Sequence, residues 1–182
     1  LGDRELAGRY VEMRLAPRWR SHPDDLFQHA RQFFRIGAVA LAEKIVEAAL
    51  EVAPQENVPD ITLDILAGAA DEENRAGLWE AALRHYDQTL DFLPKVPEGS
   101  FICPDKDTAA IESLLGKAAC EANLGKFTEA SATYDRLIEF VHSLQPTENL
   151  DAEDLQAYAV DALVGKAQAR YLMGEKEQAV AD

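Results

Sequence analysis

Apolar residues recur every three or four positions through most of the chain, which is the spacing of a helix with one buried face. The clearest row is Leu41, Ile45, Val46, Ala49 and Leu50. Alanine is heavily used and runs of β-branched residues are absent, so the pattern predicts an all-α fold. It predicts helices over residues 4–15, 23–36, 38–53, 61–76, 78–93, 127–143 and 151–173, and one capped by Asp107 or Thr108 that reaches Leu124.

Glycine and alanine recur five residues apart wherever one helical pattern ends and the next begins. The pairs are Gly2/Ala7, Gly37/Ala42, Gly77/Ala82, Gly125/Ala130 and Gly174/Ala179. A glycine ends a helix readily because it adopts a positive φ, and a small residue lets the next helix cross closely. Repetition of this joint predicts an α-solenoid, a stack of helix pairs that offers a long surface to a partner.

These helix pairs resemble tetratricopeptide repeats, in which a small residue late in the first helix is followed by the glycine joint, an aromatic residue and a proline. The copy at 63–96 is the clearest, and it shows Leu66, Ala69, Ala70, Gly77, Ala82, Tyr86 and Pro94. Further copies lie at 23–56 and 111–144, and partial copies at 1–20 and 160–182. The copies at 111–144 and 160–182 share the motif Leu-x-Gly-Lys-Ala. The resemblance implies one domain over residues 1–182, an α-α superhelix of stacked antiparallel helix pairs.

The chain departs from the family pattern in two ways. The joints are 35, 40, 48 and 49 residues apart, whereas the family repeat has 34. Glu73, Glu121 and Arg170 stand where an aromatic residue is usual. We therefore expect an irregular superhelix, and the long loops 95–106 and 145–150 are alternative places for an interaction site.

The net charge of -15 is unevenly distributed. Residues 1–44 carry a net charge of +2 and the remaining residues -17. Phosphate would be repelled by the acidic part, so we expect no nucleic acid and favour a protein partner with a basic segment. The alternative is that acidity only keeps a helical array soluble.

No apolar stretch approaches the roughly 20 residues that cross a bilayer, so no membrane insertion is expected. The chain has two cysteines, too few for a disulfide framework although enough for a single disulfide. This is usual for a reducing compartment, and we expect an intracellular, cytoplasmic protein.

Catalytic and metal-binding patterns are missing from the sequence. The four histidines are scattered, without an HExxH motif or a His/Cys cluster at metal spacing, and there is no glycine-rich phosphate loop. We expect no enzymatic activity, no bound metal and no cofactor.

The resemblance implies that the first helix of each repeat lines a concave face. Candidate partner-binding residues on these helices are Phe27, Arg31, Phe34, Arg35, Asp71, Asn74, Arg75, Asn123, Gln168 and Tyr171. Phe33 and Phe34 point about 100° apart, and we expect Phe33 in the core and Phe34 in the groove. The arginines either anchor a partner or pair with Asp24, Asp71 or Glu72.

Some members of the family bind the C-terminal carboxylate of chaperones through a clamp of lysine, asparagine and arginine. Lysine and asparagine do not occupy the clamp positions here, where Phe27, Arg31, Ala67 and Asp71 stand instead. We therefore expect a different ligand.

Each repeat has an acid at its second position, namely Asp24, Asp64, Glu112 and Asp161. These acids either form a rail for a basic ligand or simply stabilise the positive ends of their helices. The sequence leaves both interpretations open.

The leading functional hypothesis is a non-catalytic adaptor whose concave groove binds a segment of another protein. One alternative is a structural subunit or assembly factor in which the terminal helices, with Leu163, Leu172 and Val180, pack against a second copy or against missing flanking repeats. Another is a regulatory domain of a larger enzyme.

Overall fold

The structure, a computed structural model, describes residues 23–52, 59–96 and 106–174. Within these ranges it contains helices and no strand, which confirms the all-α prediction. The helices are α1 (Pro23–Arg35), α2 (Val39–Val52), α3 (Pro59–Arg75), α4 (Trp79–Phe92) with a 3₁₀ turn at Leu93–Lys95, α5 (Lys106–Asn123), α6 (Phe127–Ser143) and α7 (Ala152–Met173). Their ends agree with the predicted ones within three residues. Helix α5 begins at Lys106, so Asp107 and Thr108, the predicted caps, lie in its first turn instead. The predicted helix 4–15, the Gly2/Ala7 joint, Ala179 and Val180 lie outside the described residues.

Glycine joints turn each first helix back into its second helix, as the sequence predicts. Gly37, Gly77 and Gly125 have φ of 74°, 76° and 75°, in the left-handed region. Beyond each glycine, a backbone N–H donates to a carbonyl five residues earlier: Ala38 to Phe33, Leu78 to Glu73 and Lys126 to Glu121, each at 2.9 Å. This is the Schellman ending of a helix, in which a residue with a Cβ would cost about 1–2 kcal/mol. The three hairpins are therefore built alike.

The long helix α7 begins at a capping box. The Asp151 carboxylate accepts hydrogen bonds from the N–H groups of Glu153 (2.7 Å) and Asp154 (2.9 Å), and Asp154 accepts one from the N–H of Asp151 (3.1 Å). Such reciprocal bonds satisfy backbone donors that have no partner within the helix. Leu155, in the first turns, is buried with Ile111 and Val141 in one cluster. The early part of α7 thus covers the preceding repeat.

The helices form two layers. Each first helix (α1, α3, α5, α7) contacts the next first helix, whereas the second helices (α2, α4, α6) make at most slight contact with one another. Helices that lie closer together form the inner side of a curved stack. The first helices are therefore the concave layer of a superhelix built from helical hairpins.

Small residues allow the two helices of each hairpin to pack closely. Ala42, Ala82 and Ala130, the alanines of the three joints, are all fully buried. Around them the hairpins bury larger side chains, including Leu26 and Val46 in the first hairpin. The core positions predicted from the Gly–Ala spacing are thus correct.

An aromatic ring packs on a helical glycine at each junction between repeats. Phe27 contacts Gly68, Tyr86 contacts Gly116 and Tyr134 contacts Gly165, and a Cβ added to any of these glycines would lie under 3.0 Å from the ring. The absence of a side chain at the glycine is what admits the ring. These glycines are therefore packing positions, distinct from the glycines of the joints.

At the two later junctions a salt bridge lies beside the ring contact. Lys117 pairs with Asp87, and Lys166 pairs with Asp135 at 2.9 Å. Because Asp87 follows Tyr86 and Asp135 follows Tyr134, a Tyr-Asp dipeptide of one repeat docks on a Gly-Lys dipeptide of the next. This explains why the motif Leu-x-Gly-Lys-Ala occurs twice.

The two glutamates that replace the expected aromatic residues have partners on their own second helices. Glu73 is fully buried, and its Oε2 lies 2.7 Å from His85 Nδ1. Thr133 donates a hydrogen bond of 2.6 Å to Oε2 of Glu121, which is also buried. The hairpins therefore replace an aromatic contact with a buried polar pair.

Candidate functional site

We call the outward-facing residues of α1, α3, α5 and α7 the first-helix surface. It comprises Asp24, Arg31, Arg35, Asp64, Asp71, Asn74, Arg75, Glu112, Asn123, Asp161, Val164, Gln168, Tyr171 and Leu172. These residues lie on consecutive helices of the concave layer, so one extended ligand can contact several of them.

Two of the predicted binding residues are core residues. Phe34 is 5% exposed and Phe27 1%, and both belong to the cluster of the first hairpin. The placement of Phe34 in the groove and Phe33 in the core was therefore wrong, because Phe33 is the half-buried one and packs on the outside of this cluster. The angle between neighbouring residues separates the two rings, but only the neighbouring helix decides which ring is covered.

Two of the predicted arginine anchors are held by one glutamate. Arg31 Nε lies 3.3 Å from Glu72 Oε1, and Arg75 Nη1 lies 2.8 Å from Glu72 Oε2. Partial burial raises the pKa of Glu72, but hydrogen bonds and charge from Arg75 and Arg31 outweigh it and leave the pKa lowered. Local pairing, one of the two alternatives for these arginines, is therefore what the structure shows, whereas Arg35 is exposed.

Asp71 and Asn74 bind the second helix of their own hairpin. The Tyr86 hydroxyl donates to Asp71 Oδ1 at 2.8 Å, and Asn74 also hydrogen-bonds to it. Burial and the Asp71 charge raise the pKa of Tyr86 above its ordinary value. Since both side chains are half-buried, their polar atoms position Tyr86 for its contact with Gly116.

Carboxylates repel one another along the first-helix surface. Partial burial raises the pKa of Asp64, the nearby Asp24 raises it further, and Arg31 lowers it. The pKa of Glu112 is raised by partial burial and by Asp71, against a hydrogen bond from Tyr158. Crowding of like charges on a water-accessible surface favours a cationic ligand, because a cation relieves the repulsion.

Helix α7 carries most of the large apolar side chains that are exposed in the described ranges. Val160 is 50% exposed, Val164 52%, Tyr171 57% and Leu172 59%. The other exposed large apolar residue in those ranges is Ile36, at the first joint. Of the remaining predicted residues, Asn123 and Gln168 are also exposed.

The predicted loop 145–150 is folded back on itself. The N–H of Thr147 donates to the Leu150 carbonyl (2.8 Å), and the N–H of Leu150 donates to Thr147 Oγ1 (3.1 Å). The Leu150 side chain is buried with the third hairpin. Most of the other long loop, residues 97–105, lies outside the described residues.

The described ranges hold no group of three or more His, Cys, Asp or Glu residues that could hold a metal ion. Burial and the neighbouring Glu121, Glu73 and Asp71 raise the pKa of the Cys120 thiol to about 12, so this thiol carries no thiolate near neutral pH. Among the described helices, none is long and apolar enough to cross a membrane.

The chain matches no protein-family model, and searches of curated proteins and of solved structures also found no match.

Among the exposed apolar residues of α7, Tyr171 was predicted as a binding residue and Leu172 as a packing residue, whereas Val160 and the Glu112–Tyr158 hydrogen bond were not predicted. Val160 and Val164 have the spacing of a buried helical face, so the pattern alone predicts burial. Their exposure follows from the position of α7 at the edge of the described stack, which periodicity does not encode.

Proposed function

We propose that the chain is a non-catalytic scaffold that binds a segment of another protein along its first-helix surface. The observation that carries this proposal is the combination, on one concave layer, of crowded carboxylates and exposed apolar side chains. Water-accessible apolar residues beside charged ones are typical of protein-binding surfaces. Support also comes from the resemblance to tetratricopeptide repeats.

Site-specific photo-crosslinking tests this proposal. A benzophenone amino acid replaces Gln168 or Asn123 on the first-helix surface, and Glu139 on the exposed side of the second helix α6 serves as the control. After irradiation in native lysate, we expect a discrete adduct from positions 168 and 123 but not from 139. Equal capture at all three positions, or none at 168 and 123, contradicts the proposal.

Self-association is a second candidate, favoured by the four exposed apolar side chains of α7. A contact between copies of the chain would cover Val160, Val164 and Tyr171. Sedimentation velocity over a wide range of concentrations tests it, because a constant monomer mass excludes this candidate.

A further inference from the structure

The first hairpin, α1 with α2, is joined to the second hairpin differently from the later ones. At the two later junctions the ring that packs on the glycine comes from a second helix, as Tyr86 of α4 does on Gly116. At the first junction the ring on Gly68 is that of Phe27, which belongs to the first helix α1. The ring contact of this junction therefore lies between α1 and α3, and α2 takes no part in it.

Helix α2 differs from α4 and α6 at the positions that hold the later junctions together. Val46 and Glu47 stand where α4 and α6 have the Tyr-Asp dipeptide, and Ala69 of α3 stands in place of Lys117 and Lys166. An alanine cannot form the ion pair of the later junctions. Helix α2 packs much less against α3 than α4 packs against α5 or α6 against α7. A hairpin that is held weakly through its second helix has more freedom to rotate about its first helix.

Opposite charges tie α1 to α3 at one end of their contact. Arg31 Nε lies 3.3 Å from Glu72 Oε1. Arg31 comes four residues after Phe27 on α1, and Glu72 comes four residues after Gly68 on α3. The ion pair and the ring contact are therefore about 6 Å apart along the helices, roughly one turn. Together they hold the later turns of the two helices.

Like charges lie near each other at the opposite end of the contact, which we call the acidic end. Asp24 comes three residues before Phe27 and Asp64 four residues before Gly68, and both aspartates are exposed. Partial burial raises the pKa of Asp64, the charge of Asp24 raises it further, and Arg31 lowers it. The two carboxylates repel each other, and this repulsion falls when the earlier turns of α1 and α3 separate.

We infer that the first hairpin (residues 23–52) rocks on α3 about the contact between Phe27 and Gly68, and that it opens at the acidic end. The movement widens or narrows the first-helix surface between α1 and α3. In hinge movements of this kind, two packed bodies change their relative angle while each keeps its internal structure. The inference goes beyond the proposed function and does not depend on it, because it concerns the protein without a ligand.

Pairs of spin labels measure this movement in the full chain. Lys44, Arg84 and Ala132 are exposed, and each lies seven residues after the glycine of its joint, on α2, α4 and α6. In a Cys103→Ser, Cys120→Ala background, one protein carries Lys44→Cys with Arg84→Cys and the other Arg84→Cys with Ala132→Cys. Double electron–electron resonance gives the distribution of distances between the two labels. We expect the 44–84 distribution to be about twice as wide as the 84–132 distribution.

Matched variants test both ends of the contact. Glu72 binds Arg31 of α1 and Arg75 of its own helix, so only the first of these arginines ties the two helices together. Arg31→Gln is expected to widen the 44–84 distribution about 1.5-fold, whereas Arg75→Gln leaves it unchanged. At about 0.01 M salt, Asp24→Asn is expected to narrow the distribution by about a quarter, whereas Asp25→Asn, its exposed neighbour on α1, leaves it unchanged.

Amide hydrogen exchange distinguishes rocking from local unfolding. If the hairpin moves as a unit, the amides of α1 and α2 stay protected in the labelled proteins, and circular dichroism of every variant matches that of the parent. A wide 44–84 distribution with rapid exchange throughout α1 and α2 would mean that the hairpin unfolds, which overturns the inference.

Two results from the spin labels also overturn it. One is equal width of the 44–84 and 84–132 distributions. The other is an effect of Arg31→Gln no larger than that of Arg75→Gln, together with no difference between Asp24→Asn and Asp25→Asn. The crosslinking test of the proposed function uses other positions and a lysate, so either proposal can fail while the other stands.

Discussion

Tyr86 lies with its ring against the backbone of Gly116, so closely that the glycine admits no Cβ. The hydroxyl of the same ring donates to Asp71. One side chain thus connects the first helix of its own hairpin with the first helix of the next hairpin. Tyr134 has the same relation to Gly165.

Gly116→Ala should destabilise the protein although it improves helix propensity. In an open helix, replacement of glycine by alanine stabilises by about 1 kcal/mol. Here the methyl group displaces the Tyr86 ring, and we expect a loss of about 1–3 kcal/mol in the free energy of unfolding. Urea unfolding of the two proteins measures the difference.

A double-variant cycle is the control for that prediction. In a Tyr86→Ala background the methyl group meets no ring, so Gly116→Ala should cost little there or even stabilise. Equal costs in both backgrounds would show that the ring contact does not matter.

Glu112→Gln and Glu72→Gln should change stability with opposite signs. Folding raises the pKa of Glu112 above its ordinary value of 4.5, so stability is lost as the pH rises through the folded pKa. The glutamine variant should therefore gain a few tenths of a kcal/mol at pH 7, reduced by solvent screening, and this gain should vanish below pH 4.5. The amide oxygen can still accept the Tyr158 hydrogen bond.

For Glu72 the sign is reversed. Folding lowers its pKa below 4.5, so its contribution is present above that pH and is lost as the pH falls through the folded pKa. Glu72→Gln should cost about 1 kcal/mol at pH 7 and less in acid. Thermal unfolding at a series of pH values measures both variants, and parallel curves would contradict the assignment.

His85→Ala should cost more than Glu73→Met. Glu73 is fully buried, and its Oε1 has no hydrogen-bond partner among the described residues. Removal of His85 leaves the buried side chain of Glu73 without its Oε2 partner as well, at a cost of about 1–3 kcal/mol. Removal of the carboxylate itself should be close to neutral. Chemical denaturation at pH 7 compares the variants, and the reverse order would contradict the contact between Glu73 and His85.

Cys120 should be inert to thiol reagents in the folded protein. It is fully buried, and its pKa of about 12 leaves almost no thiolate at pH 8. In a Cys103→Ser variant, a disulfide reagent should label Cys120 fully in denaturant and only at the rate of unfolding in buffer. Rapid labelling of the folded variant would contradict this burial.

The sequence was sufficient to predict the helices and the joints, since these depend on local periodicity and on glycine at Gly37, Gly77 and Gly125. The inter-repeat contacts were not predictable in the same way. Gly116 and Gly165 interrupt otherwise ordinary helical patterns, and only the packed neighbour shows that they receive a tyrosine ring. The repeated motif Leu-x-Gly-Lys-Ala was visible in the sequence, but the Tyr-Asp dipeptide that it contacts lies on another helix.

The candidate site was less predictable than the fold. Ten binding residues were expected from their register in the first helices, and the structure buries Phe27 and Phe34 and pairs Arg31 and Arg75 with Glu72. Register gives the direction of a side chain around its own helix. It does not give the position of the neighbouring helix, and this decides both burial and ion pairing.

Because Tyr-Asp docks on Gly-Lys, a second copy of residues 111–159 would fit against the first copy. This segment carries Gly116-Lys117 on its first helix and Tyr134-Asp135 on its second, so a duplicate inserted after residue 159 would match both of its neighbours. The gene for such a protein would gain repeats by unequal recombination, because each added repeat brings both sides of the Tyr-Asp to Gly-Lys contact with it. A duplicated chain that unfolds cooperatively, with no loss of thermal midpoint, would demonstrate this, whereas a separate low-temperature transition would refute it.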